Sequence, residues 1–328
     1  MPSMSITSAH ERPQPPTAPG FCDTISFSFA DATAGVFGTA RIGLSCASGG
    51  TAVSSGAAIV FADGGLSTSR AAGGVPLAAA ADGFEDVEAA GVRTTTVTAL
   101  DHWTLRVAGD HDVALELSFN AVSEAAPTAG DSAVARVGGL QGYEHLCRVT
   151  GSARVGGSTL AVDCLGQRGH WWGVPDHRRV TLVRTVSVWA GEDLAVCLTA
   201  VRPVKARSHA DEALQVAILV APPEDAGDDR ARGVALPEDA GDNRARVVVP
   251  EDARLSTTYD AQGRHRRAGL ELYEDADGYP RRGAGDMICA TSLDLGGQRL
   301  DCSFFRWRLD GRDGLGRYDV LRPVPDAP

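Results

Sequence analysis

The chain has 328 residues, a length more typical of two domains than of one. Hydrophobic residues make up 43% of it, enough for an ordinary core, and 38 glycines and 17 prolines indicate many turns. The formal net charge of −11 opposes binding to the phosphate backbone of nucleic acids or to an anionic membrane surface. We therefore expect neither as a partner.

The N-terminus, residues 1–20, is rich in Pro, Ser and Thr and lacks a basic start followed by an apolar core. This composition predicts a disordered tail rather than a signal peptide. No stretch approaches the ~18 apolar residues that a membrane span requires. Seven cysteines without a CxxC pair favour reduced thiols in a reducing compartment. We expect a soluble, cytoplasmic protein.

Apolar and polar residues alternate with a period of two through the N-terminal half, as in strands with one buried face. The alternation is clearest in Val113–Phe119, and it also surrounds Trp103 and the pair Phe27 and Phe29. The following stretch, Ser123–Val137, combines Ser, Pro, Gly and acidic residues, which predicts a linker. The expected division is an N-terminal β domain at 21–137 and a C-terminal β domain at 138–328.

The C-terminal half shows the same strand pattern, beginning with a hairpin whose turn contains Gly156 and Gly157. Later, Val216–Val220 and Val247–Val249 are continuous apolar runs, typical of strands buried on both faces. Between those two runs, an acidic ten-residue unit that begins at Pro223 is repeated from Pro237. It lacks the spacing of a calcium-binding EF-hand loop, so the segment 221–254 predicts an exposed insertion.

Many short strands with turn signals between them, and no convincing helical period, predict an all-β protein. The expected architecture is two antiparallel, lipocalin-like barrels or sandwiches in tandem.

The segment 141–179 concentrates charged, aromatic and imidazole side chains. Two of the five tryptophans, Trp171 and Trp172, are adjacent there and bracketed by glycines. This spacing predicts a loop, and a surface loop has no structural reason to carry two tryptophans unless they cover something apolar. We therefore expect them to contact a ligand.

The motif around these tryptophans resembles a two-domain lipocalin-like family. The family includes the bacterial carotenoid hydratase, and more distant relatives are plant tocopherol cyclase and the fungal decalin-forming Diels–Alderases. Gly169 and Trp171 depart from its usual pattern, so the resemblance implies no catalytic acid within the motif. The residues that match the family pattern are Gly166, Gln167, Arg168, Trp172 and Gly173. The resemblance implies a lipocalin-like fold and chemistry on an apolar substrate.

Hydration or cyclisation of an alkene needs a proton donor in an apolar site and aromatic faces for the resulting cation. The residue types present predict Asp163 and Glu144 as catalytic acids. The predicted substrate-binding residues are Trp171, Trp172, His170, Arg168, Tyr143 and Trp103. Two alternatives stay open: Asp163 as a buried acceptor for loop amides or Arg168, and Glu144 as the surface partner of Arg148.

We expect no metal and no cofactor. His170, His177, His145 and Cys147 could together donate to zinc, but their spacing matches no standard site. The sequence also has neither a nucleophile elbow for a serine triad nor a glycine-rich phosphate loop.

The sequence thus predicts a cofactor-independent hydratase or cyclase acting on a double bond of a hydrophobic, isoprenoid or polyketide-like small molecule. One alternative is a non-enzymatic carrier of an apolar metabolite, whose cavity would contain no carboxylate. Another is a pericyclase, which needs shape but no acid.

Overall fold

The computed structural model describes residues 4–46, 52–77, 83–108, 113–221, 244–275 and 278–324. Most of the acidic repeat, residues 222–243, lies outside the described residues, as do residues 1–3 of the predicted tail.

Strands dominate the described ranges, and helices are few and short. The strands are β1 (Cys22–Asp31), β2 (Val36–Cys46), β3 (Ala52–Ala62), β4 (Gly65–Pro76), β5 (Val92–Thr98), β6 (His102–Val107), β7 (Val113–Ala121), β8 (Ala126–Thr128), β9 (Leu140–Val155), β10 (Ser158–Gly173), β11 (Val180–Gly191), β12 (Leu194–Pro203), β13 (Ala213–Val220), β14 (Arg246–Val248), β15 (Asp252–Tyr259), β16 (His265–Tyr273), β17 (Arg281–Asp294), β18 (Gln298–Leu309) and β19 (Arg312–Pro323). The helices are α1 (Ala133–Gly138) and single 3-10 turns at Ser8–Glu11, Phe84–Asp86, His177–Arg179 and His209–Asp211.

The strands form two curled antiparallel sheets, which confirms the predicted all-β, two-part architecture. The first sheet has the order β4-β3-β2-β1-β10-β9-β7-β6-β5, with β8 beside β9. The second has the order β14-β13-β12-β11-β19-β18-β17-β16-β15. In each half the first strand lies beside the last, so the two halves repeat one topology.

The chain crosses from the first sheet to the second later than the sequence indicated. The expected boundary at 137/138 would assign β9 and β10 to the C-terminal domain. Both belong to the first sheet, because β10 pairs with β1 along its length, from Gly173 opposite Cys22 to Leu165 opposite Ala30. The predicted linker contains β8 and α1, and the crossing lies between Gly173 and Val180.

Each sheet curls around its own apolar core, and the two outer faces pack against each other. Phe27, Trp103 and Phe119 belong to the first core, whereas Phe305 and Trp307 belong to the second. A third cluster between the sheets includes residues from both halves, namely Phe37, Phe61, Leu146, Trp189, Leu219 and Phe304.

One part of the predicted insertion is buried, contrary to the expectation for 221–254. Ala245 is buried in the cluster between the sheets, and its backbone bonds to Val122 and Glu124. Arg244 pairs with Asp101 at 2.6 Å. The described residues after 243 therefore tie the two halves together.

Replacing Phe304 tests the packing between the sheets. Its ring lies 5.7 Å from that of Phe37 and 6.0 Å from that of Phe61, measured between centroids. We predict that Phe304→Ala lowers the free energy of unfolding by about 3–5 kcal/mol, measured with urea, because it leaves a cavity between the sheets. Tyr279→Ala, at a fully exposed position, should change it by less than about 0.5 kcal/mol. Equal effects of the two substitutions would contradict this packing.

Candidate functional site

The inner face of the first sheet carries a cluster of polar and aromatic side chains at one end. Successive residues of a strand point to opposite faces, and β9 and β10 therefore place every second side chain of the predicted segment inward. Arg168 lies directly opposite His145, and His170 directly opposite Tyr143. Arg168, His170, Tyr143 and His145 are each at most 1% exposed. The sheet thus brings four polar side chains into one buried cluster.

Glu11 supplies the negative charge of this cluster, and it comes from the segment predicted to be a disordered tail. Residues 4–20 instead pack against the first sheet, with Glu11 at the end of a 3-10 turn. Its carboxylate accepts hydrogen bonds from Arg168 Nη2 at 2.7 Å, Tyr143 Oη at 3.0 Å and Trp103 Nε1 at 3.1 Å. The backbone amide of Leu100 donates a fourth at 3.3 Å. A buried guanidinium requires an anion, which explains why the tail is ordered here.

The guanidinium of Arg168 has further interactions with aromatic rings. Its Cζ lies 4.8 Å from the ring centroid of Trp103 and 5.2 Å from that of Tyr143. Its Nε and Nη1 are buried and have no hydrogen-bond acceptor in the part of the chain that the structure describes. Arg168 therefore offers more donors than Glu11 uses.

Asp23 and His170 form a second buried pair beside the first. Asp23 Oδ1 lies 2.6 Å from His170 Nε2, and Asp23 Oδ2 accepts a hydrogen bond from the backbone amide of Gln14 at 2.6 Å. Three rings surround the imidazole, with centroids 5.2–5.7 Å away; they belong to Phe84, Tyr143 and Trp172. A carboxyl group and an imidazole are thus hydrogen-bonded to each other within an aromatic enclosure.

His145 is neutral in this cluster. Burial, and then the charge of Arg168, lowers the pKa of His145 to about 3. Its Nδ1 donates to the carbonyl oxygen of Ser123 at 3.2 Å. The Nε2 lone pair is consequently a buried acceptor, and it has no partner among the described residues.

A cavity of about 330 Å³ lies between the N-terminal segment and this end of the sheet. Asp23 is the one charged side chain among its described lining residues. Its apolar walls come from Pro13, Pro15, Pro16, Phe21, Leu44, Ala52, Leu77 and Val87. Asp23 therefore faces a largely apolar space that is large enough for part of a small molecule.

A larger cavity of about 660 Å³ lies at the second sheet, but its chemistry differs. The two carboxylate oxygens of Glu212 receive the guanidinium groups of Arg184 and Arg202. The other acidic residues on its wall, Glu251 and Asp252, are exposed to water. Among the described residues that line it, none is a buried acid poised to donate a proton.

Five of the eight predicted site residues converge at the first sheet, and three do not. Arg168, His170, Trp172, Tyr143 and Trp103 lie together on the inner face. Trp171 does not join Trp172, because the two are neighbours in strand β10 rather than in a loop and so point to opposite faces.

Asp163 lies outside the environment predicted for it. Its side chain is 62% exposed and pairs with Arg148 at 2.6 Å. The alternation of β10 directs it away from the inner face, so the apolar surroundings that a proton donor requires are missing. The alternative reading as a partner of Arg168 is also wrong, because Arg168 pairs with Glu11.

Glu144 is buried between the two sheets, on the face opposite Tyr143 and His145. Its neighbours there are Gln167, Trp171, Cys197 and Arg317. Burial raises the pKa of Glu144 to about 7, despite hydrogen bonds and charge that favour ionisation. The alternative of a surface pair with Arg148 is wrong, because Arg148 binds Asp163.

Glu11 and Asp23 were not predicted. Asp23 was detectable, because it is in phase with the buried series Ile25, Phe27 and Phe29, and a carboxylate on a core face signals a special role. Glu11 had no such signal, since it belongs to a Pro-rich segment without a strand pattern.

No group of three or more metal-binding side chains occurs among the described residues. Free thiols are present at Cys22, Cys147, Cys164, Cys197, Cys289 and Cys302. None of the described helices has the length and apolar character needed to cross a membrane.

A comparison with protein families decides the membership of the chain. The profile of the family described as Domain of unknown function (DUF7064) matches residues 7–216. The chain belongs to this family. The match covers the N-terminal segment, the whole first sheet and the first strands of the second. No functionally curated protein matches the chain.

Solved structures with the same fold cover nearly the whole chain at low sequence identity. An AttH-like protein from Nitrosomonas europaea is 12% identical, with a TM-score of 0.63 and coverage of 93% of each chain. Kievitone hydratase from Nectria haematococca is 12% identical, with a TM-score of 0.57, covering 98% of this chain and 93% of that one. CghA, solved with Sch210972, is 11% identical, with a TM-score of 0.60 and coverage of 93% and 89%.

At this level of identity the likeness shows the fold, which is the lipocalin-like, two-part fold expected from the Gly166–Gly173 motif. The relation to carotenoid hydratase and tocopherol cyclase stays a prediction.

The pKa of Glu144 generates a prediction about stability and pH. The folded protein holds the Glu144 proton up to about pH 7, whereas the unfolded chain releases it near the ordinary value of 4.5. The resulting stabilisation is complete below about pH 4.5 and is lost as the pH rises to 7. Across this window we predict that the stability of the wild type falls by about 3 kcal/mol relative to Glu144→Gln, measured by urea unfolding.

Glu116→Gln is the matched control, since Glu116 is 69% exposed and pairs with Arg106 on the surface. Its unfolding free energy should follow that of the wild type at every pH. If Glu144→Gln behaves like this control, Glu144 is not protonated in the folded protein.

Proposed function

We propose that the protein is a cofactor-independent hydratase or cyclase that acts on a double bond of a hydrophobic, isoprenoid or polyketide-like small molecule. One observation carries the proposal: the buried carboxyl group of Asp23 lies on the wall of a largely apolar cavity and is hydrogen-bonded to His170. An isolated alkene reacts with water only when a strong proton donor meets it in a dry site.

The reaction begins with transfer of a proton from the Asp23 carboxyl group to one alkene carbon. The π electrons form the new C–H bond, and the second carbon becomes a cation. In hydration, a water oxygen bonds to that carbon and its proton returns to Asp23. In cyclisation, a second double bond attacks the cation, and loss of a proton from carbon to Asp23 closes the cycle.

Aromatic rings at and beside the cavity can stabilise the cation. Phe21 lines the cavity, and Trp172 and Tyr143 pack beside the Asp23–His170 pair. Each ring face that approaches the cation is worth ~1–2 kcal/mol where water is excluded. His170 and the amide of Gln14 fix the two oxygens of Asp23, so the carboxyl group needs no rearrangement to react.

The comparisons support this proposal through the fold. A neighbour of the same fold is named for hydrating kievitone, so the fold is compatible with addition of water to a small molecule. The carboxylate beside Trp172 also favours an enzyme over the alternative of a passive carrier, whose cavity would need no acid. The proposal assigns the proton donor to Asp23 in place of Asp163.

Isotope incorporation tests the proposal. The protein is incubated with geranylgeraniol, retinol and kievitone in ²H₂¹⁸O, and products are analysed by mass spectrometry. We expect hydration to add deuterium and oxygen-18 together, and cyclisation to add deuterium alone. Asp23→Asn should lower the rate by about 10²–10⁴-fold, because it keeps the shape but lacks the proton.

Asp163→Asn is the control, since its exposed side chain should be irrelevant to turnover. Full activity of Asp23→Asn would refute the role of the acid and favour a pericyclase. Ligand binding without any labelled product would favour a carrier.

A further inference from the structure

The carboxylate of Glu11 occupies a cradle of donors that the rest of the chain builds without it. Trp103, Tyr143 and Arg168 belong to strands β6, β9 and β10 of the first sheet. The fourth donor, the amide of Leu100, lies in the turn between β5 and β6. Only the acceptor comes from outside the sheet, on a 3-10 turn near the chain start. The donors are therefore in place whichever carboxylate fills them.

Leu100 holds an unusual backbone conformation at this point. Its φ of 62° lies in the left-handed region, which side chains branched beyond Cβ rarely adopt outside turns. In this conformation its amide points at the Glu11 carboxylate, while its carbonyl oxygen accepts from Arg244 Nη1 at 3.2 Å. The turn thus directs the Leu100 amide toward the Glu11 carboxylate.

The cradle also has donors that Glu11 leaves unused. Arg168 is fully buried, yet its Nε and Nη1 find no acceptor among the described residues. A buried N–H group without an acceptor is costly, and native structures rarely retain one without a reason. An anion that accepts hydrogen bonds from both Nε and Nη2 would satisfy more donors of the Arg168 guanidinium than Glu11 does.

The segment that carries Glu11 also covers the cavity of the proposed reaction. Pro13–Pro16 form one cavity wall, and the amide of Gln14 binds Asp23. Tyr143 connects the two places, because it donates to Glu11 and packs against His170. Displacement of residues 10–12, with Pro13–Pro16 and the Gln14 amide left in place, would free the cradle beside His170.

We propose that this cradle binds the carboxylate of the substrate and that Glu11 holds its place until the substrate arrives. The substrate class is then a hydrophobic unsaturated carboxylic acid, with its acid group on Arg168, Tyr143 and Trp103. The position of its double bond beside Asp23 rests on the proposed function, whereas the anion site rests on the donors alone.

A matched pair of polyene probes tests the anion site. cis-Parinaric acid becomes fluorescent in apolar cavities, and its methyl ester differs from it only in lacking the charge. The acid should bind the wild type more tightly than the ester. Arg168→Gln should weaken binding of the acid by about 10- to 100-fold and leave binding of the ester unchanged.

Glu11→Gln is the decisive variant, because it removes the competing charge. We expect it to bind the acid about tenfold more tightly than the wild type, with unchanged affinity for the ester. The control Glu116→Gln should bind both probes as the wild type does. A Glu11 that is merely a structural counter-ion gives weaker or equal binding of the acid in Glu11→Gln, and that result would overturn the proposal.

Hydrogen exchange of the wild-type protein keeps the test valid if Glu11→Gln does not fold. Mass spectrometry should show that parinaric acid accelerates amide exchange within residues 4–20 and that the ester does not. Unchanged or slower exchange with the acid would contradict displacement of the segment. The isotope experiment, repeated with parinaric acid, is separate: lack of labelled product from every probe would refute the double-bond chemistry, whereas equal binding of acid and ester would refute the anion site.

Discussion

The buried ion pair between Arg168 and Glu11 is the interaction on which the first half of the molecule depends. A guanidinium with no exposure to water, flanked by two aromatic rings, needs a charge partner. Among the described residues of the first sheet, none pairs with Arg168, and Glu11 of the N-terminal segment does. Breaking such a pair by removing one partner typically costs 3–5 kcal/mol. The need for that partner orders the Pro-rich segment, which in turn forms one wall of the cavity beside Asp23.

The alternation of β9 and β10 divides one stretch of sequence between two environments. Inward side chains build the anion cradle and the Asp23–His170 pair. Outward side chains, among them Glu144 and Trp171, meet the second sheet, where burial raises the pKa of Glu144 to about 7. The two carboxyl groups therefore lie in different environments. Glu144 is buried between the two sheets, and Asp23 lies at the cavity in which we propose the reaction.

The sequence was most informative where its pattern was periodic. Alternation predicted the strands, and the segment 141–179 contains Tyr143, Arg168, His170 and Trp172, which the first sheet brings together. The boundary at 137/138 was wrong, because composition cannot reveal that β10 closes the first sheet against β1. The prediction that Trp171 and Trp172 lie together in a loop was wrong. Both belong to strand β10, and adjacent residues of a strand point to opposite faces of the sheet. Glu11 could not be predicted, since its position depends on a partner 157 residues away.

The central claim is that ligand binds at the first sheet rather than in the larger cavity of the second. NMR of protein labelled with ¹⁵N-histidine tests it directly, because His145 and His170 lie in the first sheet and His265 in the second. His265 is equally buried and donates to the carbonyl of Tyr318 at 2.8 Å. Addition of a polyene acid should shift the His145 and His170 ring signals and leave that of His265 in place. A shift of His265 alone would contradict the account.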